Sequence, residues 1–233
     1  MMNTVSADFE KRAKEIEIYF RHLEAIEEKN GKLSVATARG RTLRKVDPVL
    51  VKVLKSNLFL LLYNLVESSV RQSLVEVFDA ISAEKMMYSE ASDHIKKLWI
   101  QEGHQKFKNN SAEQIFNSLT SLANDIVEIE FGNGVIMGGN IDGRKIRDFS
   151  ETYGFSSTVH KNAKNGVKLH EVKRHRNDLA HGLVSFSECG RNYTVSDLRQ
   201  TKHEVVLYLR GILRNISRYL DSKAFRIDIR EES

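Results

Sequence analysis

Apolar positions recur at three- and four-residue steps through most of this chain, and shifts in the phase of that recurrence divide it into helices. Phe9, Ile16, Phe20, Leu23 and Ile26 mark a first amphipathic helix, which Asn30-Gly31 stops. A basic loop follows. Asp47-Pro48 then reads as a helix start, a capping carboxylate before a proline at the first helical position, and the pattern runs unbroken to about Ala83. Its middle, Leu58 to Tyr63, is apolar on every face, so this helix is predicted to cross the centre of a bundle. Asn57, Asn64, Glu67 and Arg71 fall on one stripe of it, which predicts a polar line on a buried helix. That line is either an internal Glu67–Arg71 pair or support for a site.

Further on, Ala91 to Gln101 and Ser111 to Leu122 read as helices, the second with Ser111 as cap and Gln114 at the capping-box position. Ile126 to Phe131 is strand-like, and Gly132-Asn133-Gly134 with Gly138-Gly139-Asn140 predicts a turn region. No Gly-Lys-Ser/Thr follows these glycines, so they do not form a phosphate loop of the nucleotide-binding kind. Asp142 to Tyr153 is a short helix with Ile146 and Phe149 inward and Gly154 as its terminator. Gly166 to Ala180 is the next helix, and a final one runs from Ser196 to about Asp221 on Leu198, Val205, Leu209, Ile212, Ile216 and Leu220. Between them, Leu183 to Ser187 and Arg191 to Val195 flank Glu188-Cys189-Gly190 as a small β-hairpin or irregular loop. The tail from Phe225 reads as a short strand or a frayed end.

Composition narrows this picture to an all-α protein. The 233 residues hold one proline, and 41% hydrophobic content supports a substantial core, so one domain is expected: an arm and basic loop over 1–45, a core over 46–221 and a tail over 222–233. The formal charge of +5 is uneven, with one knot at Arg39, Arg41, Arg44 and Lys45 and a second from His160 to Arg176. A single cysteine, Cys189, rules out an internal disulfide framework and a cysteine-based zinc site and fits a reducing, cytoplasmic setting. Neither a signal peptide nor a membrane span is expected, because Met1 to Arg12 is polar and Asn64 breaks the most apolar run.

Candidate chemistry concentrates in Arg176-Asn177-Asp178-Leu179-Ala180-His181-Gly182. Leu169, Val172, Arg176 and Leu179 share one seam, so an arginine stands where the pattern asks for an apolar residue. His170, Arg174, Asn177 and His181 form the neighbouring stripe. Arg176 and His181 are about 140° apart around an ideal helix, so they converge only through a facing helix, the helix end or a two-fold partner. A histidine before glycine is equally well explained as a helix carboxyl end with a left-handed cap. Lys161, Lys164, Lys168, Lys173 and Arg174 suit either a phosphate-guiding surface or a solvated face. Asp93 with His94, and His170 with Glu171 or His175, lack a third ligand at a recognisable spacing, so no metal is expected; Ser185 and Ser187 sit in no nucleophile elbow.

The motif resembles the Arg-x4-6-His signature of the HEPN superfamily. Leu58 to Ser69, Gly139-Asn140-Ile141-Asp142 with Lys145-Ile146-Arg147, and Phe186 to Gly190 resemble its MAE-like branch, so the four blocks span roughly Asp47 to Leu220 and leave Met1 to Arg44 outside. The resemblance implies an all-helical HEPN-type bundle that commonly dimerises with a composite active site. It also implies a metal- and cofactor-independent endoribonuclease acting as a toxin or anti-phage defence effector, with an antitoxin or defence-system partner. Carried over, Arg176 and His181 are the catalytic pair and Asn177 the orienting residue. The motif, the polar stripes and the basic run add Asp178, Arg174 and Glu67 as expected supporting residues and Lys168, Lys173, Lys164 and His170 as expected RNA-binding ones. Arg174 also stands at a permitted spacing from His181. A catalytically silent HEPN module that binds RNA or a protein is the alternative.

Overall fold

The helix that the pattern places at the centre is there. In the computed structural model, which describes residues 3–27, 31–38, 40–107, 111–123 and 140–227, helix α2 runs over Pro48–Ala83. Asp47 caps it by accepting from the Val49 N–H, and Pro48 sits where no helical N–H partner is needed. By length and composition α2 is apolar enough to cross a membrane. Here it is a core helix: it packs against α1 (Asn3–Glu27), α6 (Val167–Ala180), α7 (Phe186–Arg191) and α8 (Val195–Asp221). Leu58, Phe59, Leu62, Leu65 and Leu74 are sealed by those neighbours, each contributing about 1.5–3 kcal/mol of burial.

α1 is part of the bundle rather than an appended arm. It lies against α2 and α8 through Phe9, Ile16, Phe20 and Leu23, all buried. The buried Lys55 amine ties it further, donating to Glu27 Oε1 at 2.5 Å and to the Tyr193 carbonyl at 2.9 Å. The polar stripe of α2 does not lie inside the bundle: Asn64 and Arg71 are exposed and Asn57 and Glu67 half-buried. It follows the edge of α2 that the neighbouring helices leave to solvent.

The basic loop is a β-hairpin, β1 (Lys32–Thr37) antiparallel to β2 (Gly40–Lys45). Helical periodicity is absent there because Val35, Thr37 and Thr42 favour extended backbone, and Gly40 at φ +116° supplies a turn conformation that side chains resist. α3 (Asp93–Phe107) and α4 (Ala112–Ala123) follow, α4 with the expected reciprocal bonds between Ser111 and Gln114. The strand-like Ile126 to Phe131, the glycine turn up to Gly139, Arg39 and the last residues of the tail lie outside the described residues. Phe225 packs into the core and Arg226 bridges to Ala91, so the described start of the tail is docked by one antiparallel bridge.

α5 (Gly143–Tyr153) is capped by Asp142, which accepts from the Lys145 N–H, and ends at Gly154 with φ +85°. The chain enters α6 through three successive left-handed residues, Lys164, Asn165 and Gly166. A Cβ on Gly166 would stand 2.9 Å from the Tyr208 ring, so α6 starts as close to α8 as a glycine allows. The segment after α6 is neither hairpin nor irregular loop but the six-residue helix α7. Ser185 and Glu188 form its capping box, and its backbone is pressed on α2, where Ser56 donates to the Phe186 carbonyl.

Candidate active site

Three elements converge on the carboxyl half of α6. Leu169, Val172 and Leu179 are buried as the seam requires, and Arg176 shares their face. Its guanidinium carbon lies 3.8 Å from the centroid of the Tyr63 ring of α2, and Nη2 is 3.9 Å from Glu67 Oε2. Stacking on an aromatic face and a facing carboxylate explain how an arginine occupies an apolar position. Glu67 also accepts from Arg71 at 3.1 Å through its other oxygen, so the expected Glu67–Arg71 pair forms, at the surface rather than inside the bundle, on the same carboxylate that faces Arg176. Arg176 keeps 24% of its side chain exposed, while its Nε is buried without a hydrogen-bond partner among the described residues.

Asn177 is held from the other side. Its Nδ2 donates to Asn140 Oδ1 at 2.7 Å, while its Oδ1 is buried without a hydrogen-bond partner among the described residues. Asn140 has φ +72°, and its N–H and that of Ile141 both donate to the Tyr63 hydroxyl, at 2.8 and 3.2 Å. Tyr63 therefore stacks Arg176 with its ring and fixes the Asn140 turn with its hydroxyl. Neither Tyr63 nor Asn140 was marked as a functional residue by the sequence. The available signal was that a buried tyrosine hydroxyl needs a partner.

His181 is the carboxyl cap of α6. Its N–H donates to the Asn177 carbonyl at 2.9 Å, Gly182 follows at φ +69°, and the Leu183 N–H closes on the Asp178 carbonyl at 2.9 Å. This is a left-handed helix terminus, and it leaves the His181 side chain exposed. The structural and chemical accounts of His181 are thus compatible: the cap uses its backbone and frees its imidazole. Asp178 is half-buried, and Arg174 is exposed with Nη2 3.3 Å from His175 Nε2.

The basic residues of this region are largely matched by acids. Lys164 pairs with Glu204 at 2.9 Å, Lys168 with Glu171 at 2.5 Å, and Lys173 with Asp142, which also has His170 at 3.7 Å. Burial works against ionisation of Asp142, Glu171 and Glu204, yet their lysine partners and other donors hold all three below the usual carboxylate range.

A further chain of bonds was not anticipated. His175 lies 4.6 Å from the Phe59 ring centroid, Cys189 Sγ is 3.6 Å from His175 Nδ1, and His175 Nε2 is 2.5 Å from the Tyr193 hydroxyl. That hydroxyl donates to Glu171 Oε1 at 2.8 Å. The His175 Nε2–H therefore donates to Tyr193, and Nδ1 accepts from the thiol. Burial and the Arg174 charge push the His175 pKa down, and burial pushes Cys189 and Tyr193 up. These groups lock α6, α7 and α2 together as neutral hydrogen-bonding groups. Among the described residues, no three His, Cys, Asp or Glu side chains are grouped as a cation would need.

No curated protein and no solved structure matches this chain. A sequence model of the MAE_28990-like HEPN family does, over residues 1–225, α1 and the hairpin included, although the recognisable blocks began only at Asp47. That match covers nearly the whole chain, and the protein belongs to the MAE_28990-like HEPN family.

Proposed function

We propose that this protein is a metal-independent endoribonuclease that works as a homodimer, as a toxin or anti-phage defence effector, with an antitoxin or defence-system partner. The observation that supports this most is Arg176 of the motif, stacked on Tyr63 and facing Glu67 with 24% of its side chain still exposed, on the same helix whose end leaves His181 exposed. An arginine held on two sides with part of its fork still open to solvent is placed to meet a phosphodiester bidentately, and the exposed imidazole at the end of the same helix is free to move a proton.

In this reading neutral His181 removes the proton from a ribose 2′-hydroxyl, and the 2′-oxygen attacks the adjacent phosphorus. Arg176, held by Tyr63 and Glu67, stabilises charge on the pentavalent phosphorane through its planar donor set. The P–O5′ bond breaks, and the same histidine of a second subunit protonates the departing 5′-oxygen. The products are a 2′,3′-cyclic phosphate and a 5′-hydroxyl end.

The test is RNA cleavage in EDTA with mapped ends. Arg176→Ala and His181→Ala are each expected to slow cleavage by on the order of 10²–10³-fold with the helical fold retained. An RNA carrying 2′-deoxyribose at the cleavage point should stay intact, and its cutting would end the proposed chemistry. One observation favours a second reading, a catalytically silent module: the pairing of Lys164, Lys168 and Lys173 with acids leaves few free cations beside the motif. Tight RNA or protein binding by a verified dimer with no cleavage would support it.

A further inference from the structure

The segment from Gly31 to Val46 contains five Lys and Arg residues and no Asp or Glu, while the whole chain carries a formal charge of +5. The entire excess of positive charge is therefore equal to what this one hairpin holds. Lys32, Arg41, Arg44 and Lys45 make no ion pair among the described residues, in contrast to the matched lysines of the motif region. All described residues of β1 and β2 are exposed or half-exposed, including Leu33 at 48% and Leu43 at 67%. The hairpin thus presents both faces to solvent.

Its register adds a second observation. Lys32 stands directly opposite Lys45, and like charges in that position weaken a strand pair. On the same face lie Arg41 and, between Arg41 and Lys45, Leu43. The other face carries Arg44 opposite Leu33. A two-stranded ribbon without a packed face is marginal in water, and this one adds electrostatic repulsion. Both costs are relieved by a polyanion laid along it, with the leucines meeting sugars and bases between phosphate contacts.

We propose that the β1–β2 hairpin is an RNA-capturing arm that grips the substrate backbone away from the cleavage motif. The choice of RNA as the polyanion rests on the endoribonuclease reading; the charge and register do not. An acidic protein surface offers a weaker match, because cations on both faces of a narrow ribbon suit a flexible strand that wraps it. The hairpin leads into α2 at Pro48, and Tyr63 lies 15 residues further along that helix, about 22 Å at 1.5 Å per residue. A dinucleoside phosphate is too short to bridge that span, whereas a longer RNA can engage both ends.

The experiment measures binding of a short fluorescein-labelled 2′-O-methyl RNA, which cannot supply the attacking hydroxyl, by anisotropy over a salt series. The protein is compared with its Lys32→Gln/Arg41→Gln/Arg44→Gln/Lys45→Gln variant, whose changes are all on exposed positions. Affinity is expected to fall by about tenfold or more, and the slope of log K against log salt to flatten by about 0.7 for each cation that contacts a phosphate. A variant with residues 33–44 replaced by a short glycine-serine turn, which the Lys32–Lys45 pairing allows to close, should behave alike. Cleavage of a dinucleoside phosphate should be unchanged while cleavage of long RNA slows. Equal affinity and salt slope in parent and variant, or no RNA binding by the parent, overturns the proposal. Hairpin-dependent binding without any cleavage would leave the arm standing and remove the nuclease reading.

Discussion

His175 shows what burial does to a group that the motif places one residue before Arg176. Packed on Phe59, beside the Arg174 charge and committed as neutral imidazole between Cys189 and Tyr193, it has a pKa below that of a free imidazole. The unfolded chain binds a proton there near pH 6.5, and the folded chain only at a lower pH. Its contribution to stability is therefore present above about pH 6.5 and is lost as pH falls from there toward the folded pKa. Asp142, Glu171 and Glu204, held low by their lysines, lose theirs only at more acidic pH, so the two windows separate. Thermal melts should show the protein losing stability between pH 7 and 5.5, and His175→Gln should flatten that slope while lowering the melting temperature at pH 7. Parallel slopes for the two proteins would mean that His175 is not the group responsible.

At the scale of elements, a close approach of backbones is found where α7 packs on α2. A Cβ built on Gly190 comes within 1.9 Å of the Lys52 carbonyl oxygen, so the two backbones touch and no side chain fits between them. Gly190→Ala is expected to destabilise by about 1–3 kcal/mol or more, because backbone cannot yield as a flexible side chain does. Denaturant unfolding measures it, and a loss below a few tenths would contradict the close packing. α7 was not legible as a helix since six residues hold too little periodicity, although Ser185 and Glu188 carried a capping-box spacing. The hairpin was missed because charges on both of its faces erase the alternation that marks a half-buried strand. α2 was legible from its cap and its unbroken apolar run, and its polar stripe misled because periodicity does not say which edge neighbours cover. Arg176 stood out on its seam, but Tyr63 and Asn140, which hold it and Asn177, come from distant parts of the chain that only folding joins.

The whole molecule must resolve a geometric problem that one copy leaves open. Arg176 faces Tyr63 on α2, and His181 leaves the end of the same helix about 140° away, exposed, with Leu183 75% exposed just beyond it. A two-fold axis beside this helix end would bring two such ends together and cover Leu183, and an isologous contact of that kind duplicates every group in one cleft. In the proposed reaction the base and the acid are then the same histidine from two subunits. Co-expression of differently tagged parent and His181→Ala chains in equal amounts gives parent homodimers as about a quarter of the total, by random pairing around that axis. If both histidines are needed, activity per chain should fall to about a quarter of the parent value and should track the square of the parent fraction. A linear fall to about one half would show instead that each subunit cuts RNA with its own histidine, and the composite cleft would have to be abandoned.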